Sequence, residues 1–219
     1  MMDIHTHILP GVDDGAKTKE EALEMLKLQI KSGITKVVLT PHVNNNVQKV
    51  SSKRYEDLFN EFSKYVYDNL EGIKLYLGYE VKYNPMRHTN YEEYIFKGFK
   101  HKYILIEFST NHEEPITEVV YNLLRKGFIP IVAHAERYLY LKFDDVKQLK
   151  EDGALIQINS GALLGNDGRV YKKQAYKFLK HQFIDFIASD THNMHDRKPN
   201  LALALKKFAK NFQMKTLEE

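Results

Sequence analysis

The chain has 219 residues, 43% hydrophobic and 28% charged, which is an ordinary globular balance, and no run approaches the roughly 20 apolar residues of a membrane helix. It contains no cysteine, which excludes disulfides, zinc–cysteine sites and every cysteine nucleophile. The formal net charge of +3, from 32 basic and 29 acidic residues, is too small and too evenly spread to suggest nucleic acid as a partner.

Met1 to His5 lacks the charged-then-apolar layout of a signal peptide, so an unprocessed, cytoplasmic chain without membrane insertion is expected. The first strand is predicted over Ile4 to Leu9. Thr18 and Glu21 have the spacing of a capping box. The helix they open carries Leu23, Leu26 and Ile30 on one stripe and ends at Gly33. Lys36 to Thr40 is a second strand, and Leu58, Phe62, Tyr65 and Val66 mark a second helix, after the polar loop of Asn44, Asn45 and Asn46. Lys74 to Glu80 and Tyr103 to Phe108 are the third and fourth strands. A helix over 115–126 stops at Gly127, and Ile129 to His134 is the fifth strand. A helix over 143–152 ends at Gly153, before the sixth strand, Ala154 to Asn159. Residues 170–181 read as helical, Ile184 to Ser189 as the seventh strand, and 196–211 as a last helix.

Seven strand–helix units without a break in composition predict one domain over 1–219 built on a parallel sheet. The strands are almost continuously apolar, so both faces are expected to be buried. Polar residues stand at every strand end. That favours a closed, irregular (β/α)7 barrel over an open doubly wound sheet, which gathers its chemistry at one switch point.

His5 and His7 end the first strand, and at i and i+2 they point to the same side. His42 follows the second strand, Glu80 ends the third, Glu107 nearly ends the fourth and His134 ends the fifth. Asn159 ends the sixth. Asp190 ends the seventh, with His192 two residues on, and Asp13-Asp14 can reach back over the same face. In a barrel these ends converge around one axis. The candidates are His5, His7, Asp14, His42, Glu80, Glu107, His134, Asp190 and His192. Nine exceed the roughly four to six ligands of one ion and suit two or three ions sharing a bridging carboxylate. An all-nitrogen-and-oxygen set favours manganese, iron or zinc.

A single histidine at a strand end is more often a hydrogen-bonded loop residue. That reading is taken for His88, His101, His112, His181 and His195, which have no matching partner. His181 suits the end of a helix. Arg137 and Arg197 follow His134 and His192 closely and would sit above the metal face, where a guanidinium matches a pair of phosphate oxygens. Surface ion pairing is their plainer reading.

The ordered segments DIHTHILPGVDDG (3–15), TPH (40–42), GYE (78–80), IEFSTN (106–111), AHAERY (133–138), QINSGALLG (157–165) and ASDTHN (188–193), with Arg197, resemble the polymerase-and-histidinol-phosphatase superfamily. They are most similar to the manganese-dependent protein-tyrosine phosphatases of bacterial capsule and exopolysaccharide clusters. The resemblance runs from residue 2 to about 205. It implies a distorted (β/α)7 barrel holding three metals: His5, His7, Glu80 and Asp190 on one ion, with Glu80 bridging to a second held by Glu107 and His134. Asp14, His42 and His192 would hold a third, and Arg137 and Arg197 would bind phosphate. Two features depart from the pattern. Ala135 stands where proline is common, and the sequence stops where relatives usually continue with an Asn-Pro turn and a tail.

The implied activity is phosphotyrosine hydrolysis with manganese, in two or three ions; iron, zinc or cobalt are alternatives. The implied substrate is the phosphotyrosine tail of a bacterial tyrosine kinase controlling polysaccharide export. No phosphoenzyme is required, and His42 or Asp14 are the candidates for general-acid help. The competing readings are a histidinol-phosphate phosphatase or other small-molecule phosphomonoesterase, a nuclease module on the same fold, and a non-catalytic metal-bound regulatory scaffold.

Overall fold

Seven parallel strand positions follow one another around the sheet, two of them broken in the middle. The computed structural model describes residues 1–45, 51–208, 212 and 214–219. Strand β1 (Met2–Thr6) pairs with β2 (Lys36–Leu39), which pairs with β4 (Lys74–Leu77). The ladder resumes from β3 (His42–Val43) through β5 (Glu80–Lys82), β6 (Tyr103–Glu107), β7 (Ile129–Val132), β8 (Leu155–Asn159) and β9 (Phe186–Ala188). A parallel bridge between Thr6 and Thr191 brings the last strand back to the first, and Asp190 N–H donates to His5 O at 2.9 Å. The architecture is thus the expected distorted (β/α)7 barrel.

The two breaks have local causes. Thr40-Pro41 separates β2 from β3, and proline has no N–H to continue a ladder. Gly78-Tyr79 separates β4 from β5, and a Cβ on Gly78 would lie 2.5 Å from the Phe96 ring, so only glycine lets that ring approach. Both breaks re-aim the chain just before a candidate ligand, His42 and Glu80, and these two residues are partners in the β3–β5 register.

The helices are α1 (Lys19–Lys31), α2 (Ser52–Asn69), α3 (Ile116–Arg125), α4 (Phe143–Asp152), α5 (Ser160–Leu164), α6 (Arg169–Lys180) and α7 (Leu201–Phe208). Glu21 N–H donates to Thr18 Oγ1 at 3.2 Å as the capping box requires. The Glu21 carboxylate, however, reaches one residue past the cap to Lys17 N–H at 2.8 Å. Gly33 and Gly127 take left-handed φ values of +84° just past their helices, and Gly153 caps α4 at +102°.

Several sequence expectations are corrected. The first strand ends at Thr6, so His7 lies just beyond it. The third connection, between β5 and β6, holds only a 3-10 turn, Tyr91–Tyr94, so one of the seven units lacks an α-helix. The short α5 follows β8 directly. The last helix starts at Leu201, not at 196, because Pro199 disfavours helix at the residue before it. Its expected extension over 209–211 lies outside the described residues, as does Asn46 of the polar loop.

Alternate residues of β6 to β9 divide between two apolar clusters. Leu105, Ile131, Leu155 and Phe186 belong to one without helix residues, inside the barrel. Ile104, Val132, Ile156 and Ile187 join the other, with Met25, Phe62, Leu149 and Phe178 of the helices.

Candidate metal centre

The nine predicted ligands come together at the C-terminal ends of the strands. His5 Nε2 lies 3.2 Å from His7 Nε2. Glu80 Oε2 lies 3.3 Å from the former and 3.2 Å from the latter, and Asp190 Oδ1 is 3.4 Å from both. Donors held about 2.0–2.2 Å from a shared ion stand roughly 3.0–3.5 Å from their neighbours, so these spacings suit one ion. His42, Glu80 and Glu107 form a second group. His134 joins it through Nε2, 2.8 Å from Glu80 Oε1. His7, Asp14, His42 and His192 form a third. His7 and His42 therefore each face two groups, where the resemblance implied one.

The histidines are aimed by their outer nitrogens. His7 Nδ1–H donates to Asp13 Oδ2 at 2.9 Å. Asp13 is fully buried and also accepts the N–H groups of Gly15 and His42 at 2.9 and 3.1 Å. Gly15 is required in this turn, since a Cβ there would fall 2.0 Å from His7 O. His5 Nδ1–H donates to Gln157 Oε1 at 3.1 Å, and His192 Nδ1–H to Asp190 O at 3.0 Å. In all three residues the Nε2 lone pair is left facing the cluster. Gln157 Nε2 donates to Asn159 Oδ1 at 2.9 Å, and Asn159 Nδ2 to Asp190 Oδ2 at 2.8 Å. A buried relay thus ties His5 to Asp190. Tyr138 OH sits 3.2 Å from His134 Nδ1 and accepts Phe108 N–H at 3.0 Å.

His134 and Asp190 have left-handed φ values of +31° and +51°. Such conformations cost about 1–3 kcal/mol each in a residue with a side chain and cluster at functional sites.

The donor set fits divalent cations. His192 Nε2 and Glu107 Oε2 are buried without a hydrogen-bond partner among the described residues, and Glu80 Oε2 and His42 Nδ1, 2.9 Å apart, meet without hydrogen-bond geometry. Leaving each unsatisfied costs about 1–3 kcal/mol, which a cation at the shared points would remove. Burial opposes ionisation of Glu80, but His5 and His42 hold its carboxyl well below the usual range. Asp190 is likewise held low against its burial by His5, Arg197 and Arg137. The neighbouring His192 and His42 rings, 3.5 and 3.3 Å from its Oδ1, depress Asp14. Burial lowers His134 and His192 to about 4, so both imidazoles are neutral at pH 7. Burial also works against a charge on His42, but Glu80 raises it to about 9, and Asp13 lifts His7 in the same way. Carboxylates that draw a proton to these rings draw a divalent cation equally. Burial and the neighbouring Glu80 raise Glu107, whose Oε1 accepts from Lys82 Nζ at 3.1 Å.

Arg137 lies on a 3-10 turn, Ala135–Arg137, and Arg197 on the loop before α7. Their Nη2 atoms stand 3.2 and 2.8 Å from Asp190 Oδ2. With Asn159 they occupy the outer oxygen of Asp190 and leave Oδ1 to the histidines. Both guanidinium groups line an open cleft of about 390 Å³ with Glu107, His134, Asp167 and Tyr171.

His101 and His112 pair with Glu218 and Glu114, and His181 caps α6, as their plainer reading anticipates. Among the described residues no metal-capable group includes them. Gln157, Tyr138 and Lys82 are not legible as site residues in the sequence, and Asp13 stands out there only as a neighbour of Asp14. The i, i+2 spacing of Gln157 and Asn159 on β8, echoing His5 and His7, is the signal that could have found that pair.

The capsular polysaccharide synthesis family model, CpsB/CapC, matches residues 1–219. Tyrosine-protein phosphatase YwqE of Bacillus subtilis is 32% identical over 216 residues, covering 97% of this chain and 85% of that protein. Putative tyrosine-protein phosphatase CapC of Staphylococcus aureus is 35% identical over 214 residues, covering 90% and 79%. Among solved structures, a match with TM-score 0.86 and 32% identity covers 97% of this chain and 87% of the other. It comes from work on YwqE of Bacillus subtilis and CpsB of Streptococcus pneumoniae, described as metal-dependent tyrosine phosphatases. Histidinol phosphate phosphatase of Lactococcus lactis, solved with zinc, L-histidinol and phosphate, aligns at TM-score 0.61 and 11% identity, which shows a shared fold.

Proposed function

Because this chain belongs to the CpsB/CapC family of capsular polysaccharide synthesis, we propose that it is a metal-dependent protein-tyrosine phosphatase whose 219 residues form one catalytic domain. The observation that carries the reading is the junction at Asp190. One oxygen faces the His5–His7 donors, and the other is held by the two arginines that line the cleft. A phosphoryl group on the arginines therefore lies beside the donor cluster.

His5, His7, Glu80 and Asp190 would hold one ion, Glu80 with Glu107 and His134 a second, and Asp14, His42 and His192 a third. Manganese is the proposed native ion. Bound divalent ions supply Lewis-acid charge that makes water a competent nucleophile at neutral pH. Arg137 and Arg197 orient the phosphoryl oxygens and neutralise charge that develops on them. Asp13, Gln157 and Asn159 fix the rings and the Asp190 carboxylate beforehand, so no reorganisation is needed during reaction. The leaving phenolate has a pKa of about 10 and departs with little help from an acid. Little help is then asked of His42 or Asp14, and Asp14 is held ionised by the neighbouring His192 and His42 rings.

The substrate is proposed to be the phosphotyrosine tail of a tyrosine kinase controlling capsule or exopolysaccharide synthesis, met in the cytoplasm. No described helix is long and apolar enough to cross a membrane. Turnover of a phosphotyrosine peptide, a phosphoserine peptide and histidinol phosphate, each with added manganese, tests the reading. A strong preference for the first supports it, and a preference for histidinol phosphate refutes it.

A further inference from the structure

The cleft beside the donor cluster offers a phosphate group a great deal and an aryl ring very little. Glu107, His134, Arg137, Asp167 and Arg197 all present charged or polar groups to it. The phenyl ring of a phosphotyrosine loses water when it enters and needs an apolar or aromatic surface in exchange. Apart from the imidazole of His134, a proposed metal ligand, the aromatic side chain lining this cleft is Tyr171.

Tyr171 sits in the first turn of α6, after Gly165 and Gly168, whose φ values of +97° and +106° turn the chain between α5 and α6. Its ring is partly buried and packs on the main apolar cluster, which fixes its position. Yet it forms no ring–ring pair, no cation–π contact, no hydrogen bond and no ion pair with any described residue. Most other large aromatics of this chain do: Tyr138 stacks edge-on against Phe108, and Tyr176 packs against Phe208 with Lys172 over its face. Tyr171 is thus an anchored ring with an unengaged face, at the edge of the cleft that holds both arginines.

We infer that Tyr171 is the specificity-determining residue that receives the aryl ring of the substrate while Arg137 and Arg197 hold its phosphate. This rests on the tyrosine-phosphatase reading and adds to it a source of preference for aryl esters that is separate from leaving-group chemistry. A seryl or other alkyl phosphate engages the arginines equally and gains nothing from Tyr171. The contribution is to binding, so it falls on KM and not on kcat.

The test uses the manganese-loaded protein, wild type and the variants Tyr171→Ala, Tyr171→Leu and Tyr171→Phe. Leucine preserves packing on the apolar cluster should alanine loosen the helix. The measurements are kcat and KM for phenyl phosphate and ethyl phosphate, and inhibition constants for phenylphosphonate and inorganic phosphate. The expected result for Ala and Leu is a rise of about threefold to tenfold in KM for phenyl phosphate and in the phenylphosphonate constant. Their kcat, their ethyl phosphate kinetics and their inorganic phosphate constant should stay within about twofold of wild type, and Phe should behave as wild type. Unchanged phenylphosphonate inhibition in both Ala and Leu, or equal losses for phenyl and ethyl substrates, overturns the inference. A wild type that hydrolyses histidinol phosphate but no phosphotyrosine peptide refutes the functional reading itself, and is a separate outcome.

Discussion

Asp13 accepts the Nδ1–H of His7 at 2.9 Å while accepting two backbone N–H groups, so one buried carboxylate sets both the tautomer of a proposed ligand and the loop that carries Asp14. Asp13→Asn keeps the shape but loses the charge that makes His7 basic. Removing such an outer partner typically costs 10- to 100-fold in metal affinity. Manganese titration of the chelator-stripped variant should show a loss of that size, with far-UV circular dichroism unchanged. Wild-type affinity would mean that the pair is only structural.

Arg197 donates to Asp190 Oδ2 at 2.8 Å, yet Arg137 and Asn159 hold the same oxygen. Arg197→Ala should therefore keep its metal and lose about a hundredfold in kcat/KM, the scale of one charged phosphate contact. Elemental analysis and steady-state kinetics on one preparation check both halves. A variant stripped of metal, or as active as wild type, contradicts the assignment.

Burial pushes the Glu136 carboxyl up to about 8, from the 4.5 ordinary for glutamate. One oxygen accepts Asn159 N–H at 3.2 Å, and the other has no partner among the described residues. Between those pH values the folded protein keeps a proton that the unfolded chain has released. The resulting stabilisation is complete below about 4.5 and is lost as pH rises through 8. Glu136→Gln has no proton to lose. Its stability relative to wild type should climb by a few kcal/mol between pH 5 and pH 9, as read by urea unfolding with chelator present throughout. A difference that stays flat with pH would show that Glu136 is ionised in the fold.

A site rich in cations but without a dedicated acid should respond to the leaving group. Across substituted phenyl phosphates and one alkyl phosphate at saturating manganese, kcat/KM should fall steeply as leaving-group pKa rises, by orders of magnitude over the series. The Tyr171→Ala variant should keep the slope among the phenyl esters, since its ring acts in binding, while the gap to the alkyl ester narrows by about threefold to tenfold. A flat series including the alkyl ester would point to a strong acid or to slow product release.

Strand and helix order was legible because periodicity, the Thr18 cap and the glycine stops are local signals. The breaks at Pro41 and Gly78 were less so. Pro41 interrupts a ladder only where the next strand resumes it, and Gly78 is needed because of Phe96, a contact no local pattern records. The nine proposed ligands were visible because a barrel brings strand ends together whatever the loop details. The sharing of His7 and His42 between groups was hidden, since it depends on the register of β3 against β5 and on ring orientations set by Asp13. Gln157 and Tyr138 act through contacts 152 and 4 residues distant in sequence, and look like ordinary strand and turn residues until the fold is closed.

Glu80 is proposed to stand at the middle of a multi-ion centre. Anomalous diffraction at the manganese edge, from crystals grown with that ion, tests it most directly. Two or three peaks are expected at the C-terminal end of the barrel, two of them about 3.5–4 Å apart and joined by the Glu80 carboxylate. One of these should be bound by His5, His7 and Asp190. Peaks only outside coordination distance of Glu80, or none at this end of the barrel, would contradict it.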